Sequence, residues 1–440
     1  MESPEDQPRR RAEFSGELPE SPASPSRTRG GGAASFPGRV HNQASPVNTS
    51  VEMEIPDPRD SEKGIYFIAL SQFGIAFCFN CIMSFMPFYI LKVSHYSMKA
   101  TILWTGLIMG GTSLVAALAA PFWGSLTARI RPKLLFQSGM FCTGVIFFIM
   151  GFSDSLPLIL ALRLIQGAFG GISTIGLVLI AGSASKSRLA RHIGHFQNSM
   201  TAGQLAGPPI GAYAVTLFGY RAPFVIALGV LLLSIAACHR FVRDIPPRPK
   251  TERRPGASPT GILWGWGLIC VGTIQLMFLP SILPQILENF HLTGDVAVGT
   301  AGTIMMIYMA AAIAGNYLLV SYSSRMPLTR LIVFACLVAG ALQCLLYLSN
   351  GVFMFTLLRS VQTGMIAGVI PLVIASFADK GGGTTLGFLN SGRFVGNAAG
   401  PMMATSLLAH FDLLTLYLTI AGLTLAMLSA FMVSERKRSG

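Results

Sequence analysis

Three arginines, Arg163, Arg359 and Arg393, stand inside long apolar stretches of the chain. A guanidinium taken out of water is costly unless it faces a polar path or a partner. It stays protonated and carries only donors, so it can pair with a carboxylate or phosphate, or donate to backbone carbonyls. Arg163 and Arg359 are each followed three residues on by a glutamine, Gln166 and Gln362, which adds a second polar group one turn away. Recognition of a ligand and structural donation, for Arg163 to carbonyls of the first helix, are both open. Catalysis is not expected. No nucleophile–base pair or metal-ligand cluster stands out, and no metal or organic cofactor is implied. The acids after residue 63, at positions 154, 244, 252, 288, 295, 379, 412 and 435, all fall in loops or at helix ends. Cys78 and Cys81 form a C-x-x-C inside an apolar run, where packing is the simpler role than redox or zinc chemistry.

The elements that must hold these residues are membrane spans. The 440 residues are 52% hydrophobic and 12% charged, with mean hydropathy +0.57. A soluble domain rarely shows that balance, and a bilayer core needs about 20 apolar residues per helix. The apolar runs predict an all-α polytopic membrane protein of twelve transmembrane helices in two pseudo-symmetric six-helix halves, 64–241 and 261–434. Residues 1–63 carry 8 basic and 11 acidic residues and little aliphatic sequence, which predicts a disordered cytoplasmic tail. Residues 242–260, rich in Pro and Arg, read as a cytoplasmic linker, and 435–440 as a second tail. The basic excess elsewhere sits in short loops, 18 residues on one side against 3 on the other. That bias puts both termini in the cytoplasm of a multi-pass plasma-membrane protein, the inner membrane if the source is bacterial. It also removes any case for nucleic-acid binding.

The halves repeat each other. A shift of 193 superposes Phe85-Met86-Pro87 on Phe278-Leu279-Pro280 and Gly207-Pro208 on Gly400-Pro401; a shift of 196 superposes Arg163 and Gln166 on Arg359 and Gln362. Duplicated halves are a common basis for alternating access. Glycines four apart on the fifth span (Gly203, Gly207, with Pro208 and Gly211) and on the eleventh (Gly396, Gly400, with Pro401) give each a smooth face and a bend. This pattern predicts a sliding, leak-tight contact between the moving halves. In the loop after the second span, Gly124, Leu126, Arg129 and Lys133 are spaced more regularly than topogenic charge requires.

Together these residues resemble the major facilitator superfamily, in particular its twelve-helix drug:proton antiporter (multidrug efflux) branch. The loop is similar to the signature G-x-L-a-D-R-x-G-R-K, with Ala128 in place of the aspartate and Arg131 in place of the second glycine. Residues 163–167 are similar to R-x-x-q-G, and 203–211 to G-x-x-x-G-P-x-x-G. The resemblance implies a secondary active transporter, working as a monomer on small-molecule substrates in the bilayer. By the family's plan, spans one, four, seven and ten line the cavity, which would present Asn80, Met83, Arg163, Gln166, Gln275, Phe278, Arg359 and Gln362. The loop and the glycine motifs would govern gating. Efflux of varied amphipathic compounds is the leading expectation. A carrier of organic or phosphorylated anions is the alternative, since three intrahelical arginines lack an embedded acid; a non-transporting receptor is a third. Coupling to a proton gradient is implied by the resemblance, without a buried carboxylate to carry it.

Overall fold

The computed structural model describes residues 58–126, 129–183, 188–245, 259–378 and 383–439. The expected tail (1–63) and linker (242–260) fall largely outside them. Twelve spans are seen among the described residues. In the amino half they are α1 (Pro58–Val93), α2 (Met98–Leu126), α3 (Pro132–Gly151), the pair α4 (Leu156–Ala168) and α5 (Ile172–Ser183), α6 (Leu189–Phe218) and α7 (Ala222–Phe241). In the carboxyl half they are the pair α8 (Pro259–Met277) and α9 (Leu279–Asn289), α10 (Gly294–Tyr322), α11 (Leu328–Leu345), α12 (Val352–Ala378), α13 (Gly383–His410) and α14 (Leu413–Ser439). The first span starts at Pro58, six residues before its apolar run. The second runs two residues past Gly124, so that glycine does not end it.

Ten of the spans are long and apolar enough to cross a bilayer. The other two, α6 and α13, have the length, 30 and 28 residues, but more glycine and polar residues. They are the fifth and eleventh spans, equivalent under the duplication. Each is sheltered on two sides, α6 between α1 and α10, and α13 between α8 and α2. Such helices need less apolar surface because less of them meets lipid.

Two spans break in the middle. Between α4 and α5, Gly170 lies against Ala116 and Gly171 against the Trp123 indole, where a side chain would not fit. A break frees carbonyls in a medium without water, and Trp123 Nε1 donates to Ala168 O at 2.5 Å. Between α8 and α9 the helix is interrupted at Phe278, and Pro280 opens the next segment. The matching Pro87 sits within an unbroken α1, so the two halves are not strict copies.

The core shows where the halves meet. One apolar cluster runs without interruption from Phe85, Phe147 and Phe224 of the amino half into Leu283, Ile304 and Met305 of the carboxyl half. A second, with Ile332, Ile366, Phe377 and Phe431, belongs to the carboxyl half alone. By chain direction the shared cluster crosses between halves toward the face opposite the bundle's two ends. The separate one lies toward the face carrying those ends, here the terminal face. Among the described residues, the halves are therefore joined on one side of the bundle and parted on the other.

Candidate substrate cavity

The join is made by glycines that the sequence reading did not single out. A Cβ on Gly106 of α2 would collide with Thr405 Oγ1 of α13 and lie 3.1 Å from Pro401 O. A Cβ on Gly302 of α10 would lie 2.5 Å from Ala212 Cβ and 2.9 Å from Pro208 O, both on α6. Shifts of 196 and 193 turn the first contact into the second, so the closure is reciprocal. Gly110 extends it, meeting the Ala398 carbonyl and Met402 Cγ. These are backbone-to-backbone approaches that only glycine permits.

The glycine motifs of α6 and α13 face elsewhere, which corrects the expectation of a sliding contact between halves. A Cβ on Gly203 would meet Phe73 O at 2.5 Å, one on Gly207 would meet Phe77 O at 2.8 Å, and one on Gly211 would collide with the Cys81 carbonyl; all three partners are on α1. Gly396 and Gly400 lie against Cys270, Thr273 and Ile274 of α8. Each stripe binds its helix to the first helix of its own half. Spacing of four fixes the face of a helix but not the partner it meets. Pro208 and Pro401, one register step round the helix, do stand at the contact between halves.

The arginines of the fourth and tenth spans are wholly buried. Arg163 donates through Nε to Ile108 O (3.3 Å) on α2, through Nη1 to Gln166 Oε1 (2.7 Å), and through Nη2 to Met83 Sδ (2.7 Å). Its guanidinium stands 5.4 Å over Phe79. The backbone acceptor is on the second helix, not the first. Arg359 donates to Gln362 Oε1 (2.5 Å) and to the carbonyls of Gln275 (2.9 Å) and Leu276 (3.2 Å) on α8. Phe278 and Tyr308 flank it at 4.8 and 5.1 Å. Gln362 Nε2 donates to Gln275 Oε1 (2.6 Å) and Gln343 Oε1 (3.1 Å), and Gln275 Nε2 donates to Thr424 Oγ1 (2.5 Å). Carbonyls, amides and aromatic faces thus solvate both cations where water cannot.

Seven of the eight residues expected to line the cavity therefore form two clusters, Met83, Arg163 and Gln166 in one half and Gln275, Phe278, Arg359 and Gln362 in the other, while Asn80 lies beside Gly207 of α6. Arg163, Gln166, Gln275, Phe278, Arg359 and Gln362 are buried; Asn80 and Met83 are half-buried. Asn80 donates to Ala76 O of its own helix (2.8 Å).

The open side exposes different residues. Gln197 and Asn198 on α6, and Asn390 and Arg393 on α13, are exposed although each lies within a span. Arg393 is exposed although its helix is sheltered on two sides by α8 and α2. At 100° per residue Arg393, Asn397, Asn390 and Pro401 share one sector of α13, between the glycines that meet α8 and the residues that meet α2. The equivalent sector of α6 carries Gln204, Gln197 and Pro208. These polar residues on the two least apolar spans were the readable signal for the cavity.

At the terminal face, the loop after α2 binds within its own half. Arg131, at the position of the signature's second glycine, pairs with Asp244 at 3.2 Å, and Lys133 Nζ donates to His239 O at the end of α7 (3.0 Å). Arg129 is exposed. Ala128 lies outside the described residues.

Comparison with known proteins agrees with this architecture. The family model for the Major Facilitator Superfamily matches twice, over residues 68–278 and 265–440. The multidrug resistance protein MdtG of Serratia proteamaculans is 26% identical over 363 residues, 80% of this chain and 88% of that protein. MdtG of Dickeya zeae is 24% identical, over 88% and 98%. Among solved structures, a bacterial homologue of the human lysosomal transporter Spinster, inward-facing and unoccupied, is similar with TM-score 0.65 at 14% identity, covering 86% of this chain and 96% of that one. Two family matches on two six-span halves, closed reciprocally on one face and parted on the other, describe a secondary transporter: the chain belongs to the Major Facilitator Superfamily.

Proposed function

We propose that this transporter expels varied amphipathic small molecules, taking them up from the cytoplasmic side and releasing them across the membrane. The reciprocal closure Gly106–Pro401 and Gly302–Pro208 carries the reading. Two pseudo-equivalent contacts that must part together leave one path through the bundle, and alternating access uses such a path. The loop charge bias makes the terminal face cytoplasmic, so the parted side faces the cell interior. The similarity to MdtG proteins supports efflux of drug-like compounds. The cavity lies within one chain, which suits a monomer. Coupling to protons rests on the resemblance alone, since the acids among the described residues, Asp60, Glu62, Asp154, Asp244, Glu288, Asp295, Asp412 and Glu435, flank the spans or stand toward their ends.

Expression in a host stripped of its own pumps tests this directly. Accumulation of neutral, cationic and anionic amphipathic dyes should fall for at least one class, and inverted vesicles with and without a proton gradient should show whether that flux is coupled. Unchanged accumulation of every dye would remove the efflux reading.

A further inference from the structure

We infer that the preferred substrates are amphipathic organic anions, and that Arg393 is the residue that selects for the negative charge. The inference rests on the amphipathic-efflux reading and names its substrate class.

The argument is an accounting of charge inside the spans. Among the described residues, the interior cations are Arg163, Arg359 and Arg393. The first two are committed: their hydrogen bonds go to Ile108, Gln166 and Met83 in one half and to Gln275, Leu276 and Gln362 in the other, only Arg359 Nε lacks a partner, and neither side chain reaches solvent. Arg393 makes no hydrogen bond or ion pair with the described residues and is exposed, in the half of α13 nearer the terminal face. It is the eleventh residue of α13, about 15 Å along the helix from its start. The same sector of the helix carries Asn390 and Asn397, and the matching sector of α6 carries Gln197 and Gln204. The glycines around it are spent on helix packing against α8.

Apart from Asp60, Glu62 and Glu435 at the terminal-face ends of α1 and α14, no described acid lies within the spans. Asp154, Glu288, Asp295 and Asp412 lie at the closed face, and Asp244 pairs with Arg131 outside the bundle. A cleft with low-dielectric walls and one sign of charge concentrates ions of the other sign. It also penalises a cation entering it. A guanidinium with free N–H groups binds carboxylate or sulfonate oxygens through two parallel hydrogen bonds, and neighbouring amides can supply further donors. The surrounding apolar residues then receive the rest of the molecule.

The test uses two dyes with one aromatic body, the neutral N-phenyl-1-naphthylamine and its sulfonated relative 8-anilinonaphthalene-1-sulfonate. Flux of each is measured into proteoliposomes holding wild type, Arg393→Gln or Arg393→Lys, each checked for monodispersity and thermal stability. Wild type should move the sulfonate faster than the neutral dye. The ratio of the two rates should fall about tenfold or more in Arg393→Gln, the equivalent of about 1.4 kcal/mol, and be largely kept by Arg393→Lys. A ratio unchanged in Arg393→Gln would overturn the role of Arg393. A wild type that moves only the neutral dye would overturn the anion class and leave amphipathic efflux standing. Movement of neither dye would bring down the efflux reading and this inference with it.

Discussion

Replacing Gly110 by alanine should push the transporter out of the conformation described here. A Cβ at that position would collide with the Ala398 carbonyl and lie 2.9 Å from Met402 Cγ, both on the other half. Met402 can rotate away, but a backbone carbonyl cannot. Carbon contacts settle at about 3.5–4.0 Å, so α2 and α13 must separate by roughly 1 Å along this stretch. Overpacking of that kind costs about 1–3 kcal/mol. The penalty falls only on the state in which the two helices touch, so the ratio of closed to open forms at this face should drop roughly 5- to 150-fold. Spin labels on His95 and Phe411, exposed at the closed face on opposite halves, would read the change as a shift of population to longer distances. The two half-buried native cysteines, Cys142 and Cys344, are first replaced by serine. Gly111→Ala is the control, because its new methyl would press only on the flexible Leu164 and Leu160 of the same half. Equal distance distributions for Gly110→Ala and wild type would refute the reasoning.

Other outcomes follow from the same geometry. Arg359→Ala removes the donor to Gln362, Gln275 O and Leu276 O. Each buried acceptor left unpaired costs about 1–3 kcal/mol, so thermal unfolding in detergent should occur earlier and transport of all substrates should fall alike. Gly211→Ala drives a methyl into the Cys81 carbonyl and should destabilise the amino half by about 1–3 kcal/mol, measured by the same unfolding assay. Asp412 caps α14 by accepting from the Thr415 amide at 2.9 Å, and its bonds with Thr415 hold the carboxyl below its ordinary value of 3.8. A lowered acid stabilises the fold above the ordinary value and loses that contribution as pH falls through the lowered one. Asp412→Ala should therefore be less stable than wild type at neutral pH, with the gap closing below about pH 4.

Much of the architecture was legible because lipid imposes a simple rule on sequence: every span must hide its backbone in a helix and show apolar side chains. The span order, the duplicated halves and the buried arginines all followed. The mid-span breaks did not, since Gly170 and Gly171 could equally have been close-packing glycines within a continuous helix, and Pro280 has an unbroken counterpart at Pro87. The glycine motifs on α6 and α13 were visible, yet their partners were not, because a helical register names a face and leaves the neighbour to tertiary packing. Gly106-x-x-x-Gly110 carries the same spacing on α2, and there the neighbour is the other half. The arginines divide by environment rather than by type. Arg163 and Arg359 have a glutamine one turn on and a ready set of carbonyls, whereas Arg393 has asparagines on a face left open.

A reversible tether across the closed face tests the alternating motion most directly. A Cβ on Gly106 would lie 3.0 Å from that of Thr405, a little inside the usual disulfide separation of about 3.8 Å, so Gly106→Cys with Thr405→Cys should bridge on oxidation after small relaxation. Dye flux into proteoliposomes should stop when the bridge forms and return on reduction. Flux that continues through the fully bridged protein would mean that these helices need not part, and the account of two halves opening in turn would fail.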